Sequence, residues 1–266
     1  MEKDKKDQAY KPIGIFDSGV GGTSIWKELH ALLPYENTIY LADSKHAPYG
    51  TKSAQEIIRL SEKNTRILLD KNCKIIVIAC NTATTNAIKF LRNKYSIPFI
   101  GIEPAIKPAS LKSKSKVVGI LATKGTLSSE LFNKTSSLYK KGIHIIEQEG
   151  TGIVELIEQG RVDSEEMKQL LLSYLKPMIE AKIDYLVLGC SHYPYLVPML
   201  KKLLPKHVNI IDSGQAVANQ TKSILQQLDL INPSQKTPVN FFHTNGDPSI
   251  LKNLIGEEFP IIPSDF

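Results

Sequence analysis

The feature that most constrains this 266-residue chain is a recurrence of short apolar runs separated by stretches with helical spacing. Runs at 13–17, 38–42, 74–79, 97–101, 116–122, 143–147, 183–189, 208–211 and 239–243 are rich in Ile, Val and Leu on consecutive positions. Consecutive rather than alternating apolar residues predict strands covered on both faces, as in parallel sheets. Amphipathic patterns lie between them. Met167, Leu170, Leu171, Tyr174, Leu175, Met178 and Ile179 follow an i, i+3, i+4, i+7 stripe, and Ile57, Leu60, Ile67 and Leu68 share another helical face. This alternation predicts an α/β fold with largely parallel sheets flanked by helices. In such folds ligands gather outside the carboxyl ends of the strands, so the residues just after each run are where chemistry is to be sought.

Two of those strand ends look like copies of each other. Lys74-Ile-Ile-Val-Ile-Ala-Cys80-Asn-Thr82 and Asp184-Tyr-Leu-Val-Leu-Gly-Cys190-Ser-His192 each have a polar start and a hydrophobic run. Each run ends in a small residue, a cysteine and two polar residues. The repetition predicts two similar α/β lobes facing each other across a cleft, each presenting one thiol. The expected division is 12–103 plus 211–266 for the first lobe and 104–210 for the second, with 1–11 as a flexible polar tail.

The chain has three cysteines, Cys73, Cys80 and Cys190, with no Cys-x-x-Cys spacing. That is neither a disulfide framework nor a zinc site. The histidines show no ligand spacing such as His-Glu-x-x-His, so no metal is expected. Cys73 precedes its strand, near Lys71 and Lys74, and reads as structural. Cys80 could be a small buried hydrophobe, but Asn81-Thr82-Ala83-Thr84 after it is a run of N-capping residue types. Free N–H groups at a helix start favour a thiolate. Cys190 is followed by Ser191 and His192, which puts an imidazole within two residues of the thiol. A free thiol has a pKa of about 8.5, and such surroundings can poise it near neutrality.

The segment Asp17-Ser18-Gly19-Val20-Gly21-Gly22 carries a strand into a glycine-rich turn, where backbone can adopt positive φ or approach a ligand closely. It lacks the lysine of a phosphate loop and the spacing of a dinucleotide fingerprint. Asp17 and Ser18 read as ligand-facing, with a structural Asx-turn as the alternative. Ala47-Pro48-Tyr49-Gly50 alone would be a surface turn.

With 33 basic against 27 acidic side chains the formal charge is +6. The basic residues spread over 3–6, 107–116 and 134–141 without aromatic interleaving, which suits a solvated surface, so nucleic acid is not an expected partner. No apolar run approaches the 18 or so residues of a membrane span, and residues 1–12 contain no apolar leader segment. A cytoplasmic protein is expected.

Taken together, Ile15-Phe-Asp-Ser-Gly-Val-Gly-Gly22, Pro48-Tyr-Gly50, Ile78-Ala-Cys-Asn-Thr-Ala83 and Leu188-Gly-Cys-Ser-His-Tyr-Pro194 resemble the glutamate racemases. These belong to the cofactor-independent aspartate/glutamate racemase superfamily. The resemblance runs from about Pro12 to the end of the chain, with the motifs in the family's order. It implies Cys80 and Cys190 as the two acid/base residues, and Asp17, Ser18, Tyr49, Gly50, Asn81, Thr82, Ser191 and His192 as residues lining the substrate. Thr126 matches a threonine that helps hold the substrate, and Glu158 lies near the place of an auxiliary glutamate. Pro48 is a further auxiliary candidate. Ser191 departs from the family's usual threonine, keeping the hydroxyl and losing a methyl.

The implied function is interconversion of L- and D-glutamate without a cofactor, feeding peptidoglycan synthesis, in an enzyme that is often a homodimer. No motif for pyridoxal phosphate is present. The alternatives are a racemase for aspartate or another acidic amino acid, a non-catalytic anion-binding protein of the same fold, and a Cys–His thiol hydrolase. A binder needs neither thiol, and a hydrolase leaves the second unexplained.

Overall fold

In the computed structural model, which describes residues 7–139 and 142–266, every strand pairing is parallel. The first sheet contains β1 (Ile13–Asp17), β2 (Thr38–Ala42), β3 (Ile75–Ile78), β4 (Phe99–Gly101), β9 (Asn240–Thr244) and β10 (Ile261–Pro263). The second contains β5 (Val117–Ala122), β6 (His144–Glu149), β7 (Tyr185–Gly189) and β8 (Asn209–Ile211). Their orders are β10-β9-β2-β1-β3-β4 and β6-β5-β7-β8. The run β2-β1-β3-β4 and the whole second sheet are therefore wound in the same order. The likeness of the two cysteine segments in sequence extends to topology, since β3 and β7 occupy equivalent places.

Burial follows position in the sheet. β1, β2 and β3 are buried at every residue, as consecutive apolar positions require. β6 and β8 are edge strands and are only partly covered. β10 was not expected, because Ile261-Ile262-Pro263 is too short to show a pattern; it forms by pairing with β9. Helices cover the faces. The Ala54–Asp70 helix starts at Ser53, whose hydroxyl accepts the Glu56 N–H, and buries Ile57, Leu60 and Leu68. The Glu165–Glu180 helix starts at Ser164 and buries Met167, Leu171, Leu175 and Met178. These are the inner positions of the expected stripe, while Leu170, Tyr174 and Ile179 flank it.

Register sets where the strands end. Asp17 of β1 lies level with Ala42 of β2, and Phe16 lies level with Ile78 of β3. In the second sheet Ala122 lies level with both Glu149 and Gly189. In each sheet the winding reverses beside the central strand, at β1/β3 and at β5/β7, and a crevice opens there. Asp17 and Cys80 flank the first such point; Thr123 and Cys190 flank the second.

At the amino end of β3, Lys74 is buried and donates from Nζ to Glu36 Oε2 at 2.5 Å, Ala9 O at 2.6 Å and Leu230 O at 2.8 Å. The sequence leads one to expect a flexible tail over 1–11. Residues 1–6 lie outside the described residues, but Ala9 is buried and pinned by this ammonium. Lys3, Lys5, Lys6, Lys140 and Lys141 of the basic segments also lie outside them.

Removing one partner of a buried ion pair leaves the other uncompensated. Lys74→Met should cost about 3–5 kcal/mol in urea unfolding, and adding Glu36→Leu should recover a substantial part. An unchanged midpoint in Lys74→Met would mean that the pair does not hold the start of β3.

Candidate active site

Cys80 stands where β3 hands over to the Asn81–Lys94 helix and is that helix's N-cap. Its sulfur accepts the Ala83 N–H at 3.4 Å and lies 3.5 Å from Ser18 Oγ. Burial, then the nearby charge of Asp17, pushes the thiol strongly upward, so Cys80 rests as a neutral thiol. The next side chain, Asn81, is buried, and neither its amide nitrogen nor its amide oxygen has a partner among the described residues. An unmade buried hydrogen bond costs about 1–3 kcal/mol. This leaves one donor and one acceptor beside the thiol free to bond.

Asp17 closes β1 and is wholly buried. Its Oδ2 accepts N–H groups from Gly19 at 3.2 Å and Gly22 at 3.0 Å, so the Asx-turn is present. Its Oδ1 accepts the hydroxyl of Ser191 at 3.0 Å, from the second lobe. The turn and the cross-cleft contact thus share one carboxylate. Burial raises Asp17, while His192, the Gly22 N–H and Ser191 act against that rise.

The turn has glycines because the other lobe occupies the space. A Cβ on Gly21 would fall within the imidazole of His192, and one on Gly19 would fall on the Glu158 carboxylate. Close approach rather than positive φ is the reason at both positions, and the object approached is the second lobe.

Cys190 follows β7 and is held differently from Cys80. Its sulfur lies 3.7 Å from Nδ1 of His192, which is itself buried. The other ring nitrogen, Nε2, lies 2.5 Å from Glu158 Oε1. Burial alone would lower His192, but hydrogen bonds to Cys190 and Glu158 and the charge of Asp17 outweigh it and raise the imidazole well above its ordinary value. Glu158 also accepts the Val20 N–H and the Ser44 hydroxyl, both at 2.7 Å, from the first lobe.

On the far side of the cleft three hydroxyls converge. Thr82 Oγ1 is 2.7 Å from Thr123 Oγ1 and 3.3 Å from Thr126 Oγ1, and the latter two are 3.1 Å apart. Gly50 packs on Thr123, where a Cβ would come within 2.9 Å of the threonine's Cβ. Pro48 follows a cis peptide bond and lines the mouth of the cleft opposite Val154 and Glu155. The Tyr49 hydroxyl turns into the first lobe, donating to Asp43 Oδ2 at 2.5 Å and accepting from Asn64 Nδ2 at 3.1 Å. Its phenol group is thus engaged within the protein.

The structure brings Asp17, Ser18, Cys80, Asn81, Thr82, Thr126, Glu158, Cys190, Ser191 and His192 to the facing carboxyl ends of the two sheets, with Pro48, Tyr49 and Gly50 at the margin. Thr123, Ser44, Ser24 and Tyr195 are not among the residues expected from the sequence. Ser24 Oγ donates to Ser191 O at 2.8 Å, and Thr23 Oγ1 meets Tyr195 OH at 2.5 Å, adding to the cross-lobe contacts. Thr123 and Ser44 come within two residues after a strand, so the strand-end rule reached them; no motif singled them out. Chemically, the cleft offers two thiols in opposed lobes, one neutral and one beside an imidazolium, with an unfilled amide between polar walls.

A family profile described as Asp/Glu/Hydantoin racemase matches residues 21–221. The chain belongs to this family. Glutamate racemase from Herpetosiphon aurantiacus is 44% identical over 244 residues, covering 92% of this chain and 95% of that protein. The crystal structure of a glutamate racemase isoform from Bacillus anthracis superposes with a TM-score of 0.87 at 29% identity, over 97% of this chain and 98% of that one. Glutamate racemase from Francisella tularensis in complex with D-glutamate superposes with a TM-score of 0.83, also at 29% identity, over 97% and 98% of the two chains. The expected fold, two similar α/β lobes with parallel sheets and a cleft between them, is the fold of these racemases. The chain is an amino-acid racemase of the Asp/Glu/Hydantoin family. Among the described residues no helix is long and apolar enough to cross a membrane.

A methyl at 21 would displace His192, the partner of Cys190. Gly21→Ala should lower kcat/KM by about a hundredfold, the scale of an ångström-sized misplacement, with an unchanged far-UV circular dichroism spectrum. Activity within twofold of wild type would show that the turn yields to the added methyl.

Proposed function

We propose that this chain is a glutamate racemase in which Cys80 and Cys190 are the acid and base on opposite faces of the substrate Cα. The observation that carries the reading is the placement of two buried thiols at equivalent strand ends of facing lobes. Racemisation removes a proton from one face of Cα and delivers one to the other. A single base tends to return the proton to the face it came from, whereas two opposed groups do not.

The two thiols stand in different surroundings. Cys80 is held as a thiol, ready to donate, while Cys190 lies beside an imidazole held protonated. In one direction the Cys190 thiolate takes the Cα proton, and the electron pair remains on Cα, delocalised into the carboxylate. Cys80 gives its proton to the opposite face. The Cys80 thiolate so formed meets the Ala83 N–H and the Ser18 hydroxyl at the helix start, which stabilise it. The other enantiomer uses the same groups with roles exchanged.

Asn81 offers its unfilled amide to the substrate, and Thr82 with Thr126 offers hydroxyls. In a cleft shielded from water these donors stabilise charge developing on the substrate carboxylate. Asp17, Ser191 and His192 hold the lobes around it, and the backbone at Tyr49 and Gly50 closes one side. Glutamate is favoured as substrate by the names of the relatives that match along nearly the whole chain. The reading includes the resemblance's further implications, a cytoplasmic homodimer that needs no cofactor and supplies D-glutamate for peptidoglycan.

Two measurements test it. Cys80→Ser and Cys190→Ser should each lose at least about 10²–10⁴-fold in racemisation, with solvent deuterium exchange at Cα failing for different enantiomers in the two variants. Near-normal racemisation in either variant would remove the two-base assignment. Asn81→Ala should raise KM for glutamate by roughly 10–100-fold, the equivalent of one or two lost buried hydrogen bonds, without loss of folding. An unchanged KM would take Asn81 out of the binding site.

A further inference from the structure

Glu158 is the last residue of the Ile153–Glu158 helix, where the partial negative charge of the helix end disfavours a carboxylate. Its ligands explain why it can stand there. Oε1 faces Nε2 of His192 in its own lobe and accepts the Val20 N–H from the first lobe, while Oε2 accepts the Ser44 hydroxyl from the first lobe. Two of the three donors therefore come from across the cleft, and one of them, Ser44, is a side chain.

Ser44 is well placed to hold its end. It follows β2 in a short helical turn, Ser44–His46, and packs against Gly246 after β9, where a Cβ would come within 2.5 Å of the serine Cβ. Neighbouring Asn245 bonds to Asp43 at 2.6 Å and to the Lys45 N–H at 2.9 Å, which fixes the turn from the β9 side. Ser44, Pro48, Val154 and Glu158 also line a cavity of about 160 Å³ at the mouth of the cleft, between the margins of the two lobes. The Ser44–Glu158 contact is thus a bond across the opening and, through Glu158, one step from the imidazole that faces Cys190.

We propose that Ser44 is a positioning residue: its hydroxyl clasps Glu158 Oε2 when the lobes close, turns Oε1 onto His192, and so couples closure of the cleft to proton transfer at Cys190. When the lobes separate, Ser44 and the Val20 N–H leave Glu158 together, and the carboxylate no longer aims the imidazole. Cys80, which is served by the helix start and Ser18, lies outside this chain of contacts. The coupling is therefore one-sided.

The inference rests on the two-thiol reading above, and the experiment separates the two. Purified wild type, Ser44→Ala, Ser44→Thr and Cys190→Ser are compared using L- and D-glutamate deuterated at Cα. Cys190→Ser identifies the enantiomer that Cys190 deprotonates, as the one whose Cα exchange fails. Ser44→Ala should lower kcat about tenfold, the scale of one lost hydrogen bond to a charged group, and raise the primary isotope effect for that enantiomer only. Ser44→Thr, which keeps the hydroxyl, should restore both. A merely structural disturbance of the mouth would change the isotope effects of both enantiomers alike, without restoration by threonine. That result, or wild-type behaviour of Ser44→Ala alongside a defective Cys190→Ser, would overturn the role of Ser44 and leave the two-thiol reading standing. Normal racemisation by Cys190→Ser would overturn both.

Discussion

A buried carboxylate with no lysine or arginine bonded to it among the described residues must be held by hydrogen bonds, and the site depends on how Asp17 meets that demand. One oxygen takes two N–H groups of the turn that follows β1, which sets the path of the backbone. The other takes a hydroxyl from the second lobe, which sets where that lobe sits. The turn can pass only if it carries no side chains at 19 and 21, because Glu158 and His192 fill the space. Turn shape, lobe docking and the orientation of His192 therefore follow from the satisfaction of a single buried group.

The two thiols are equivalent in topology and unlike in chemistry. Cys80 is kept neutral by burial and the charge of Asp17, and its conjugate base is cared for by a helix start. Cys190 has an imidazole, and behind the imidazole a carboxylate whose donors come from across the cleft. In the proposed mechanism, two lobes of like winding present two groups to opposite faces of one carbon and furnish them with different means of moving a proton.

Much of this was legible in the sequence. Parallel strands buried on both faces leave a strong signal in consecutive Ile, Val and Leu residues, so β1 and β2 match their expected limits. Strand-end chemistry then pointed to Asp17, Cys80 and Cys190. What escaped notice has physical reasons. β10 is three residues whose strand character comes only from β9. Ala9 is held by Lys74, a contact 65 residues away in sequence that no local pattern discloses. The glycines at 19 and 21 were legible as glycines but not as clearances, since their neighbours come from the other lobe. The Tyr49 motif was readable, whereas the direction of its phenol, toward Asp43, is a tertiary fact. Ser44 and Thr123 stood in the right places but were ordinary residue types among many.

The shared winding of β2-β1-β3-β4 and β6-β5-β7-β8 has a consequence for stereochemistry. Proteins are chiral and cannot build a mirror plane, yet a racemase must treat mirror-image molecules even-handedly. Two half-sites of like winding, brought face to face, come as near to reflection as a chain of L-residues can. The enantiomers have equal free energy in water, so any imbalance between the half-sites is confined to rates and the final mixture stays even. The thiols are free to differ because thermodynamics, not the enzyme, guarantees the symmetry of the outcome.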